Sequence, residues 1–172
     1  MSTKSKTSLR QFQQDLAQRL AGAKAGPASS ARLGVQCGSA LWLIDLTEAG
    51  EIMPVPALGY VPLTKPWYAG LANVRGGLVS VVDFSGFATG YATPRGPENR
   101  LVLASAKLGI NVALLVSRML GLRNPRDFTP TSDDAERAPW EGERWTDQAG
   151  FNWRELKLAN LVAQPDFLHV SS

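Results

Sequence analysis

The chain has 172 residues, 44% hydrophobic and 19% charged, which excludes a disordered or fibrous protein and sets the scale of one domain, or two very small ones sharing a core. Its 16 glycines and 11 prolines exclude a long-helix architecture, and one cysteine (Cys37) with one histidine (His169) excludes an internal disulfide, a Cys-rich zinc site and paired-histidine metal motifs. The formal charge of +3 divides into +5 on residues 1–32 and −2 on the rest, so the body lacks the clustered cations between aromatics that nucleic-acid binding requires.

The first predicted element is an amphipathic helix over 8–23, where Leu9, Phe12, Leu16 and Leu20 recur at helical spacing. Ser8 and Gln11 suit a capping box at its start, and Gly22 suits its end. Around it Lys4, Lys6, Arg10, Arg19, Lys24 and Arg32 stand against Asp15 alone. The apolar stripe has two readings: packing on the chain's own body, or docking on a partner. Gly26-Pro-Ala-Ser-Ser30 follows as a linker, which makes 1–32 an arm and 33–172 the body. No apolar run reaches transmembrane length, and the first residues lack the apolar stretch of a secretory signal. The chain therefore reads as cytoplasmic, with no direct membrane insertion.

From Leu33 the pattern changes to strands. Leu33–Cys37 and Ala40–Leu46 flank a Gly38-Ser39 turn and predict a hairpin. Glu51–Val55 predicts a third strand, placed at an edge by Pro54. Leu71–Arg75 leads through Gly76-Gly77 into a strand over Leu78–Phe84, with Leu78, Val82 and Phe84 on one face and Val79, Val81 and Asp83 on the other. Leu101–Ser105 and Ile110–Val116 flank a Lys107-Leu-Gly109 turn and predict a second hairpin. Residues 124–150 are polar, acidic and interrupted by proline, and read as a loop with at most one strand. Leu156–Leu158 closes a sheet, and a short helix follows Asn160, halted near Pro165. Many short strands between Gly/Pro turns indicate a small barrel or a pair of them.

Chemistry is sparse. Nucleophile-elbow, phosphate-loop and zinc-protease motifs are absent from the sequence. Cys37 lies in an apolar strand pattern and reads as a buried thiol rather than a nucleophile. Asp45 and Asp83 end strand-like runs, where turn and cap roles outweigh an acid/base pair. The informative stretch is Asn73-Val-Arg-Gly-Gly77, an arginine at a strand-to-turn junction. Its guanidinium suits either a partner's carboxylate or an internal acid such as Asp83.

At this point the sequence resembles the CheW family, the coupling proteins of bacterial chemosensory arrays. Leu41-Trp-Leu-Ile-Asp-Leu46 is similar to the family's second strand, and Gly50-Glu-Ile52 to its V-x-E-I element. Val61-Pro62 with Pro66-Trp-Tyr-Ala-Gly70 is similar to its P-x-x-P-x-x-x-x-G link. Gly70-Leu-Ala-Asn-Val-Arg-Gly76 is similar to G-x-x-N-L-R-G, with Val74 for Leu, and Leu78–Asp83 to V-x-P-V-x-D, with Ser80 for Pro. Wording around Pro54–Leu58 and Trp67–Gly76 resembles the PilI branch, which serves the system controlling type IV pili.

The resemblance implies an all-β fold of two five-stranded SH3-like barrels sharing a core, here with the N-terminal helical extension and a short C-terminal helix. It implies an adaptor and no enzyme, with no cofactor and no metal. The implied partners are the cytoplasmic tip of a methyl-accepting chemoreceptor and the regulatory domain of a CheA-type histidine kinase. Arg75 is the first implied contact, Asn73 and Gly70 shape its loop, Glu51 lies on the kinase-facing side, and Asp83 is support. Two other classes compete: an SH3-like module for extended peptides, and a small hydrolase using Cys37 or Asp83 with His169.

Overall fold

Arg32–Cys37 (β1) and Ala40–Asp45 (β2), each with three consecutive buried residues, pair as the first hairpin, and Gly38 takes the turn at φ +59°. The computed structural model describes residues 31–172, so the helix predicted over 8–23 lies outside the described residues. The remaining strands are Ala49–Pro54 (β3), Tyr68–Val74 (β4), Gly77–Asp83 (β5), Arg100–Ala104 (β6), Val112–Val116 (β7), Arg118–Arg123 (β8), Phe128–Pro130 (β9), Glu141–Asp147 (β10) and Asn152–Leu156 (β11). Three short helices complete the order: Phe84–Thr89 (α1), Leu158–Val162 (α2) and Pro165–Leu168 (α3).

Two sheets result, ordered β8-β1-β2-β11-β10-β9 and β3-β6-β7-β5-β4. All neighbours run antiparallel except β2 with β11 and β5 with β7. The second sheet is one continuous stretch of chain between β2 and β8, and the first is built from both sides of it. β3 lies at an edge, as Pro54 requires.

β7 explains how the sheets share a core. All five of its residues are buried. Val112, Leu114 and Val116 join Leu33, Val35, Trp42 and Ile44 of the first sheet in one cluster, whereas Ala113 and Leu115 join Ala72, Val79, Val81 and Leu101 in another. A strand covered on both faces needs an unbroken apolar run. In the second cluster Met53 and Val55, at one edge of the sheet, pack with Ala72 and Val74 of the other edge; that sheet curls into a barrel. The first sheet closes over Trp153: Arg123 stacks on this ring at 5.2 Å and Phe128 meets it edge-on at 5.6 Å.

Four elements depart from the expectations: the closing strand expected over Leu156–Leu158 is β11 at Asn152–Leu156, Leu158 already begins α2, and Pro165 starts α3 rather than halting a helix. Residues 124–150 hold two strands, β9 and β10, making the first sheet six-stranded. The polar residues are clamped by Arg144, which donates to Glu141 (2.6 Å), Asp133 (2.8 Å) and the Glu136 carbonyl (3.2 Å). Phe84 is the first residue of α1, because Asp83 caps that helix by accepting from Gly86 N–H at 3.3 Å. β8, which follows β7 after Ser117 alone, is an element the sequence did not separate; its exposed Met119 and Leu122 obscured the period-two pattern.

Candidate partner-binding surface

The turn between β4 and β5 is two residues long, with Val74 paired to Gly77. Arg75 has φ +52° and Gly76 φ +83°, the geometry of a type I′ turn, which suits the twist of a hairpin. Glycine adopts this freely; arginine does so against the steric preference of an L-residue. Asn73 fixes the turn by accepting from Gly76 N–H at 2.9 Å. The guanidinium of Arg75 then stands 80% exposed at the end of a rigid hairpin.

Its partner is Glu51, with Arg75 Nη2 donating to Glu51 Oε1 at 3.0 Å. Glu51 belongs to β3 and Arg75 follows β4, the two opposite edges of the same sheet. The curl of the barrel therefore brings together two residues singled out separately in the sequence. The internal alternative, Asp83, is occupied elsewhere: it is buried and accepts from Thr93 Oγ1 and Thr93 N–H, both at 2.7 Å. Leu78, paired opposite Asn73 and 65% exposed, adds an apolar surface beside the turn. Its exposure could not be read from a strand pattern that assigned it to a face with Val82.

Gly70 acts one step away. It has φ +128°, and a Cβ there would run into the carbonyl oxygen of Gly59. This close approach lets Gly59 and Leu71 exchange hydrogen bonds of 2.7 and 2.9 Å, which lays residues 58–60 along the open edge of β4. Gly70 thus shapes the flank of the site, while Asn73 shapes the turn.

The candidate catalytic groups are not assembled. Cys37 is buried, and burial followed by the nearby Asp83 charge pushes its thiol up, away from the thiolate a nucleophile needs. The cavity beside it is lined by Trp42, Phe84 and Trp140 among others, without His169, whose ring instead meets Ser171 Oγ at 3.2 Å. Asp45 Oδ1 accepts from Thr47 N–H and Oγ1 at 2.8 and 2.7 Å, a turn role. No group of three or more His, Cys, Asp or Glu able to hold a metal occurs among the described residues. No helix among them is long and apolar enough to cross a membrane.

Comparison with known proteins bears on the family and the fold. The chain is 29% identical over 92 residues to Protein PilI of Pseudomonas aeruginosa, a match covering 54% of this chain and 51% of that protein. The chain thus matches about half the length of that relative. The fold is similar to the crystal structure of the scaffolding protein TtCheW from Thermoanaerobacter tengcongensis, with a TM-score of 0.63 at 15% identity, covering 75% of this chain and 89% of that one. The family model of the CheW-like domain matches residues 32–140, which include Glu51, Gly70, Asn73 and Arg75, and the chain belongs to the CheW-like domain family.

Proposed function

We propose that this protein is a non-catalytic adaptor that joins the cytoplasmic tip of a methyl-accepting chemoreceptor to the regulatory domain of a CheA-type histidine kinase, in a chemosensory system controlling twitching by type IV pili. The carrying observation is the Arg75–Glu51 pair, which joins the two edges of the curled second sheet in a charged contact at a two-residue hairpin turn beside exposed Leu78. An adaptor needs a stable body that presents a few oriented charges around apolar anchors. Holding two proteins at once raises the effective concentration of each for the other, and receptor state then shifts the kinase's populations through differential contacts. Similarity to PilI supports the pilus assignment.

The reading is tested by co-purifying receptor and kinase with the wild-type chain and with Arg75→Glu. The charge reversal is expected to weaken capture of one partner by about tenfold or more. Unchanged capture of both removes Arg75 from the interface. A kinase whose reconstituted activity ignores this protein removes the adaptor reading.

A further inference from the structure

We propose that the amphipathic segment 8–23 of this chain docks along the edge strand β8, its Leu9, Phe12, Leu16 and Leu20 covering Met119 and Leu122. The inference goes beyond the adaptor reading and does not depend on it. Of the two readings of that apolar stripe, the chain's own body or a partner, it selects the body.

β8 pairs with β1 on one side and, among the described residues, with no strand on the other. In an antiparallel pair, residues directly opposite each other point to the same face. Leu33 lies opposite Leu122 and Ile44, and Val35 lies opposite Met119 and Trp42. Leu33, Val35, Trp42 and Ile44 all belong to the core between the sheets. Two apolar rows thus cross three strands on the core face, and each loses its cover at the last member: Leu122 is 67% exposed and Met119 46%. A register shift at Gly34/Val35, with Gly121 at φ +87°, is what sets these two on one face although they are three positions apart. The flanking charges turn to the opposite face, where Arg118 bonds Gln36 at 2.8 Å and Arg123 stacks on Trp153. An open edge strand with an apolar face is the kind that proteins cover with a helix or loop.

The occupant follows from where the chain enters the body. Ala31 leads into β1, the neighbour of β8, and Ala31 and Leu122 line one groove of about 260 Å³ with Arg123, Asn124 and Pro125. Residues 24–31 can span up to about 26 Å, whereas β1 and β8 lie about 4.8 Å apart, so the tether reaches easily. The lengths also agree. A helix over 8–23 measures about 24 Å, and the six residues of β8 about 20 Å. A segment tethered this close acts at a high effective concentration, which a separate partner would have to match.

The test is amide hydrogen exchange on the full chain as wild type, Leu122→Glu and Leu16→Glu, read at residues 8–23, at β8 and at β7. In the wild type, residues 8–23 are expected to exchange at least about tenfold more slowly than an unstructured peptide. Leu122→Glu, at an exposed position of the body, is expected to speed their exchange about tenfold, and Leu16→Glu to speed that of β8, with β7 unchanged in both. If Leu122→Glu loosens β7, the milder Leu122→Ser replaces it. Residues 8–23 that exchange like an unstructured peptide in the wild type overturn the docking. So does slow exchange that ignores the change at Leu122. Slow exchange lost on about hundredfold dilution gives the face to a second copy and also overturns the proposal. None of these outcomes touches capture of receptor or kinase through Arg75, so the adaptor reading stands or falls separately.

Discussion

Arg75 combines local strain with exposure. A left-handed conformation costs a residue with a Cβ about 1–2 kcal/mol, and its ion pair with Glu51, open to water, returns at most about 1 kcal/mol. Stability alone therefore does not favour arginine at this position, and such strain accompanies functional sites. Arg75→Gly is expected to leave the fold as stable as wild type or up to about 1 kcal/mol more stable, while removing the proposed contact. Denaturant unfolding checks the first part and partner titration the second; a clear destabilisation would mean that Arg75 holds the hairpin itself. Gly76-Gly77 marked the turn in the sequence, which left the arginine's partner open between another protein's carboxylate and Asp83. Glu51 lies 24 positions away, and only the curl of the sheet makes them neighbours.

At the scale of elements, β10 and β11 carry the protein's clearest pH dependence. Asp147 accepts from the Trp153 indole at 2.9 Å and from the backbone of Phe151 and Ala149. Chiefly through that indole bond, its carboxyl is held below the ordinary 3.8. For Glu155, burial opposes ionisation, but the Arg32 bond, the Glu143 N–H and nearby Lys157 outweigh it and hold the carboxyl below 4.5. Folded values below unfolded ones mean stabilisation that is complete above about pH 4.5 and lost as pH falls through the depressed values. Asp147→Asn is expected to lower the denaturation midpoint at neutral pH and to flatten its decline between about pH 4.5 and 3. An equally steep decline in the variant would locate the acid sensitivity elsewhere. The sequence showed Asp147 only within a polar run and did not single out Glu155, because their partners Trp153 and Arg32 are assigned by strand pairing and sheet order, which local composition does not encode.

Across the whole molecule, the shared core couples the sheets. Leu114 is 1% exposed and sits between them. Stacked, tilted and edge-on contacts among Trp67, Phe87, Phe167 and Trp140 fasten α1, α3 and the segment before β10 onto the same core. Leu114→Ala is expected to cost about 2–5 kcal/mol and still give one cooperative transition, coincident by tryptophan fluorescence and circular dichroism. Two separated transitions would show that the barrels unfold independently.

What the sequence determined by itself was local: the strand runs, the Gly38 and Gly76 turns, the edge position of β3, the buried character of Cys37 and the run of motifs that marks the family. These follow from side-chain alternation and backbone sterics within a few residues. The tertiary structure alone decided the parallel pairing of β2 with β11, the pairing of the two strands within 124–150 and the meeting of Arg75 with Glu51. Each depends on residues distant in the chain, and their proximity is set by how two curled sheets bury their apolar faces against one another.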